Sequence, residues 1–183
     1  MKQIATLMFL LLVAGSLGLT CGGEKKPEAK IPGIDTLTAD EKAAERALFP
    51  AENMMPDSYE FVEQEFLEVK ALEYVYTADY AVDSDTFELF MTQDFTGVKY
   101  INLRAYAGAN YELQDAPAAA NFDDSYGFAF DHPEQGHIIA GLRHNRLVGI
   151  LGVDNELQVS LYAAWLEGLP EPEYPDPALR PDK

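Results

Sequence analysis

The chain has 183 residues, of which 13 are Lys or Arg and 31 are Asp or Glu, for a formal charge of −18. Such a field repels phosphate polymers, so nucleic acid is excluded as an expected partner, as is lying flat on anionic lipid; a basic partner or a cation is allowed. A single cysteine excludes an intrachain disulfide, so packing alone must hold a core made aromatic by ten Tyr and ten Phe.

The first 23 residues read MKQIATLMFLLLVAGSLGLTCGG, with Lys2 ahead of an apolar run from Ile4 to Ala14 and small residues leading to Cys21. A charged start, roughly 7–15 apolar residues and a small-residue cleavage zone make a secretory signal. The run breaks at Gly15, Ser16 and Gly18, short of the roughly 20 apolar residues that a spanning helix needs. Over residues 1–23 the segment resembles the leader of bacterial lipoproteins. Those leaders place Leu three positions before the cysteine and Gly or Ala one before; here Gly18 and Thr20 stand there, with Leu17 one place early.

The resemblance implies cleavage before Cys21 and acyl chains of the palmitate kind on its sulfur. The mature protein is then exported to the cell envelope and anchored to a membrane without spanning it. In a host with two membranes, that is the outer membrane or the periplasmic face. Gly22 follows Cys21, in place of the Asp that retains some lipoproteins at the inner membrane. The other reading is an ordinary signal cut near Thr20, which leaves Cys21 a spare thiol. An unpaired cysteine in an oxidising compartment favours lipidation. Each buried methylene contributes roughly 0.8 kcal/mol, so two or three chains hold where one barely does.

The leader thus spans residues 1–20. Residues 21–34, CGGEKKPEAKIPGI, are polar and Gly- and Pro-containing, and read as the tether of the anchored protein. A single domain is expected over 35–169, and PEPEYPDPALRPDK makes 170–183 a Pro-rich tail expected to be disordered.

Within the domain, Thr38 with Glu41 has the form of a capping box before an Ala-rich helix that Pro50 stops. From Asp57 to Lys70 the pattern fits either a helix, through Val62, Phe66 and Val69, or the start of a strand. From Ala71 the period is two: Leu72, Tyr74, Tyr76, Ala78, Tyr80 and Val82 alternate with Glu73, Val75, Thr77, Asp79 and Ala81. A turn at Asp83–Asp85 leads into Phe87, Leu89 and Met91, predicting a hairpin. TGVKYINLRAYAG has two readings. One is a helix capped by Thr96, lined by Val98, Ile101 and Ala105, and ended by Gly108; the other is a third strand. Capping and the terminal glycine favour the helix. NYELQDAPAAANFDDS reads as loop.

Tyr126, Phe128 and Phe130 alternate as a strand, HPEQG turns the chain, and HIIAGLR and RLVGILG are joined by His144 and Asn145. Both of those residues tolerate φ > 0, as a two-residue hairpin loop requires. The implied register pairs Ile138 with Leu151, Ala140 with Gly149, Leu142 with Leu147, Ile139 with Ile150 and Gly141 with Val148. Both faces are apolar, so this hairpin belongs at the centre of the sheet. The small pair Ala140–Gly149 makes a dip, and Trp165 is the residue expected in it. Trp165 comes from a last helix capped by Asp154 or Asn155, striped by Leu157, Leu161, Ala164 and Trp165, and ended by Gly168 and Pro170.

The expected fold class is α+β: a mostly antiparallel sheet of about five strands with packed helices, including a C-terminal one. This layout is similar to that of uncharacterised bacterial envelope lipoprotein domains.

DHPEQGH gathers Asp131, His132, Glu134 and His137 within seven residues, enough donors for a divalent metal, though the spacing matches no standard metal motif. The other reading is a turn with its polar side chains in water. Nucleophile, phosphate-loop and EF-hand patterns are absent, and no cofactor is expected. Arg143, His144 and Arg146 cluster at a hairpin tip of an acidic chain, where an anion or an acidic partner would relieve the facing arginines. The alternative is that they pair with nearby acids or splay into solvent.

Three functions follow. The first is a lipid-anchored, non-catalytic binding or accessory module with a protein partner in the envelope. The second is a metal-dependent or acid/base hydrolase using the Asp123–His137 loop. The third is a small-ligand binder whose aromatic face, from Tyr74 to Tyr80, lines a pocket.

Overall fold

The computed structural model describes residues 39–120, 122–123 and 126–171. Cys21, the tether, Thr38 with its capping box, and residues 172–183 of the tail lie outside the described residues.

A seven-stranded antiparallel sheet runs β1 (Glu60–Val62), β2 (Val75–Val82), β3 (Asp85–Gln93), β7 (Arg146–Leu151), β6 (Gly136–Arg143), β5 (Gly127–His132) and β4 (Gln114–Asp115), in that spatial order. Helices α1 (Ala39–Arg46), α2 (Val98–Asn110) and α3 (Glu156–Gly168) complete it among the described residues. The fold is α+β, with a C-terminal helix. The expectation of about five strands is corrected to seven. The two additions, β1 and β4, have three and two residues, too few for an alternating pattern to register.

The central hairpin has the register that its sequence predicts, from Ile138↔Leu151 to Arg143↔Arg146. His144 and Asn145 form its loop with φ of 49° and 57°. β7 is the middle strand, with β3 on its other side. Alternation therefore sends Val148 and Ile150 to one face, and Leu147 and Leu151 to the other.

Each face is covered by a helix. On one, α3 lays Tyr162, Trp165 and Leu166 over Tyr76, Ala78, Leu89, Ile139 and Ile150. On the other, α2 lays Tyr100, Leu103 and Ala107 over Phe90, Phe128, Phe130, Ile138 and Ala140. The α2 segment is a helix, not a third strand, but it presents a different stripe from the expected one: Val98 is 52% and Ile101 61% exposed. Its start is capped by Asp94, whose Oδ2 accepts the Tyr100 N–H at 2.8 Å, and not by Thr96; it ends at Asn110, beyond Gly108.

Trp165 is not in the dip at Ala140–Gly149. That pair faces α2, and the ring of Phe90, directly opposite Gly149 on β3, lies against Gly149. A neighbouring strand thus fills a gap that sequence spacing alone would give to a helix.

The strand expected from Ala71 begins at Val75. Tyr74 takes φ 57°, which breaks the alternation, so Leu72 is buried with the α2 cluster while Tyr76 joins the α3 cluster. The 57–70 segment is neither a helix nor one long strand: β1 is followed by a single turn at Phe66–Glu68.

Candidate functional site

α3 is capped by Asn155, whose side chain accepts the Gln158 N–H, while Gln158 Oε1 accepts the Asn155 N–H. This capping box sets the rotation of the helix. The buried stripe is Gln158, Tyr162, Trp165 and Leu166, one position round from the expected one. Of the expected stripe only Trp165 is buried; Leu157 is 50% exposed, and Ala164 is exposed as well. The helix is thus apolar on more of its circumference than the sheet covers.

The surplus borders a cleft of about 230 Å³. Its helical wall is Leu161, Ala164 and Trp165, and its floor is Tyr80, Phe87 and Leu89 of the β2–β3 hairpin. The third wall is the loop at Pro50, Glu52 and Asn53. That loop is fastened at both ends. The Ala81 N–H donates to the Asn53 carbonyl at 3.0 Å, and the Met55 N–H donates to the Asp79 carbonyl at 2.9 Å. Tyr80 Oη donates to the Pro50 carbonyl at 2.9 Å, and Trp165 Nε1 to the Leu48 carbonyl at 2.8 Å. Burial also raises the Tyr80 phenol well above its ordinary pKa, keeping it a neutral donor. Both aromatic polar groups are spent on the backbone, so those two side chains turn apolar surface to the cleft. Phe49 stacks on Trp165 at 5.4 Å and holds the same loop from behind.

An acidic group lies on the opposite sheet face. Asp79 and Glu88 are cross-strand partners, and Glu60 pairs with Thr77 beside them. Burial, chiefly, and then the neighbouring carboxylates raise Glu88 to about 6, against a hydrogen bond from Thr77 that lowers it. Burial and Glu60 raise Asp79 as well.

The DHPEQGH residues are divided by the pleat. Asp131 and His137 are register partners, and His137 Nδ1 lies 2.7 Å from Asp131 Oδ1. His132, one residue along, points to the other face; its Nδ1 accepts the Glu134 and Gln135 N–H groups at 3.3 and 3.2 Å, and its ring packs on Tyr111. Among the described residues no group of three or more His, Cys, Asp or Glu is placed to hold a metal ion. Asp123 is at the far end of β6, where it meets Arg143 and the His144 N–H. The six residue steps of strand from His137 to Arg143 span about 20 Å, so the Asp123–His137 loop does not converge on one point.

The basic tip is turned inward. Arg143 is 3.3 Å from Asp123 and donates through Nε to the Leu166 carbonyl. His144 Nδ1 donates to the Leu169 carbonyl at 3.1 Å, and Arg146, 5% exposed, donates to the Pro170 carbonyl at 2.8 Å. These three side chains receive the carbonyls at and just past the end of α3, where cations are stabilised. Asp123 thus supplies Arg143 with an acidic partner from within the chain.

Of the aromatic face expected to line a pocket, only Tyr80 does so. Tyr76 is in the core, and Tyr74 stacks on Phe61. Glu52 and Asn53 carry no periodic signal and escaped sequence reasoning, whereas Leu161, Ala164 and Trp165 belong to the stripe expected on α3. No family model, curated protein or solved structure matches the chain.

Proposed function

We propose that the protein is a lipid-anchored, non-catalytic binding module of the cell envelope, held by acyl chains on Cys21 and binding through the α3 cleft. The cleft carries this reading. It is a concave, mainly apolar site with fixed walls and a few polar groups at its mouth, the arrangement small-ligand sites share. The leader ending at Cys21 supports the anchor. Among the described residues no helix is long and apolar enough to cross a membrane. The dispersal of Asp123, Asp131, His132 and His137 gives the hydrolase reading no support of its own.

Mass spectrometry of the native protein and detergent partitioning of a Cys21→Ala variant test the anchor. An acyl mass on Cys21, with the variant moving to the aqueous phase, is the expected result. A bare thiol on the native product would overturn it.

A further inference from the structure

Resting on the reading of the α3 cleft as the binding site, we infer that its ligand is a small organic cation of the substituted-ammonium class, with a compact apolar head. Three aromatic side chains, Tyr80, Phe87 and Trp165, line the space, and Glu52 is the one charged residue that does so. No Lys, Arg or His is among the lining residues to balance that carboxylate. Of the side-chain donors among the lining residues, Tyr80 Oη and Trp165 Nε1 are already committed to the Pro50 and Leu48 carbonyls, which leaves the neutral Asn53 amide. An anionic ligand would therefore meet a carboxylate and no donor from either ring, on a chain of formal charge −18. A neutral apolar ligand would fill the space and leave the carboxylate unused. A cation with methyl or methylene groups around its charge uses both features, since aromatic rings and a carboxylate attract it while its alkyl surface packs. The volume of about 230 Å³ limits the head to a small group, and Glu52 and Asn53, both exposed, leave the rest of a longer ligand a way out.

Trp165 is the only tryptophan in the chain, so its fluorescence reports on the cleft in the full-length protein. Three probes of nearly equal shape separate charge from size: choline, its uncharged carbon analogue 3,3-dimethylbutan-1-ol, and the anion 3,3-dimethylbutanoate. The expected result is a saturable change with choline at about tenfold lower concentration than with the alcohol, and none with the carboxylate. Glu52→Gln should raise the choline half-saturation by about fivefold without changing the melting temperature. Ala164→Phe, which fills the cleft from an exposed helix position, should abolish the response to all probes in a protein that still melts cooperatively. An alcohol response equal to that of choline overturns the cation assignment and leaves the cleft a binding site. A choline response that survives Ala164→Phe places binding elsewhere, and silence with all three probes overturns ligand and cleft together.

Discussion

The two faces of the sheet are built from the same five long strands, yet the sheet is closed beneath α2 and left open beside α3. On the α2 face the strands fill their own gaps: Phe90 lies against Gly149, and α2 closes over it with Tyr100, Leu103 and Ala107. On the α3 face the helix reaches the sheet through Tyr162, Trp165 and Leu166, while Leu161 and Ala164 stand over a space that Tyr80, Phe87 and Leu89 do not fill. The difference lies in who supplies the bulk. Where a strand supplies it, the gap is closed by a cross-strand neighbour about 5 Å away. Where a helix and a loop supply it, the fit depends on how far two independently fastened elements can approach.

Gly149→Leu strikes hardest at the closure beneath α2. A Cβ at Gly149 would collide with the Phe90 ring and lie 2.8 Å from the Ile139 carbonyl, so a side chain and the backbone must both move. The expected cost is about 3 kcal/mol, the upper end of overpacking. Chemical denaturation measures it, and a midpoint unchanged from the parent would show that the α2 face is not closed in this way.

The five long strands, the central hairpin with its register, the last helix and the covering of both faces were legible because each carries a period or a loop of distinctive chemistry. Rotation about a helix axis was not. Val98, Ile101 and Ala105 make as good an apolar stripe as Tyr100, Leu103 and Ala107. What decides is that Asp94, six residues before Tyr100, caps that residue's N–H and fixes the start of the helix. The same is true of α3, where Leu157–Leu161–Ala164 and Gln158–Tyr162–Leu166 compete and Gln158 enters the core despite its polarity, because its oxygen closes the capping box. The cleft was illegible for a related reason: it exists only between α3 and a loop whose hydrogen bonds to Tyr80 and Trp165 span 30 and 117 residues. The inward turn of Arg143, His144 and Arg146 needed the end of α3 to be placed first.

Glu88 tests the polar margin of the α2 face, where paired strands β2 and β3 place Asp79 and Glu88 side by side. Its folded pKa is about 6 against an ordinary 4.5. An acid whose pKa is raised on folding binds protons more tightly in the folded state, so its contribution is most favourable below about 4.5 and is lost as pH rises through about 6. Glu88→Gln should therefore stabilise the protein by about 1–2 kcal/mol at pH 7 and flatten the fall in stability between pH 4.5 and 6. Asp79, shifted in the same direction, leaves a residual slope. Melting curves across that range check both, and a variant with the parent's pH profile would remove Glu88 as the source.

The smallest expected effect separates the two stripes of α2 most cleanly. Ile101 is 61% exposed and Leu103, two residues on, is fully buried. If Val98, Ile101 and Ala105 faced the core, a lysine at 101 would bury a charge without a partner and cost several kcal/mol. With the stripe outward, Ile101→Lys places an ammonium in water on a strongly acidic protein and changes stability by no more than about 0.5 kcal/mol. Leu103→Ala, by contrast, should cost about 2–5 kcal/mol. Equilibrium denaturation of the pair fixes the rotation of α2. A loss at Ile101→Lys comparable to that at Leu103→Ala would turn the helix by roughly 160–200° and undo the description of the closed face.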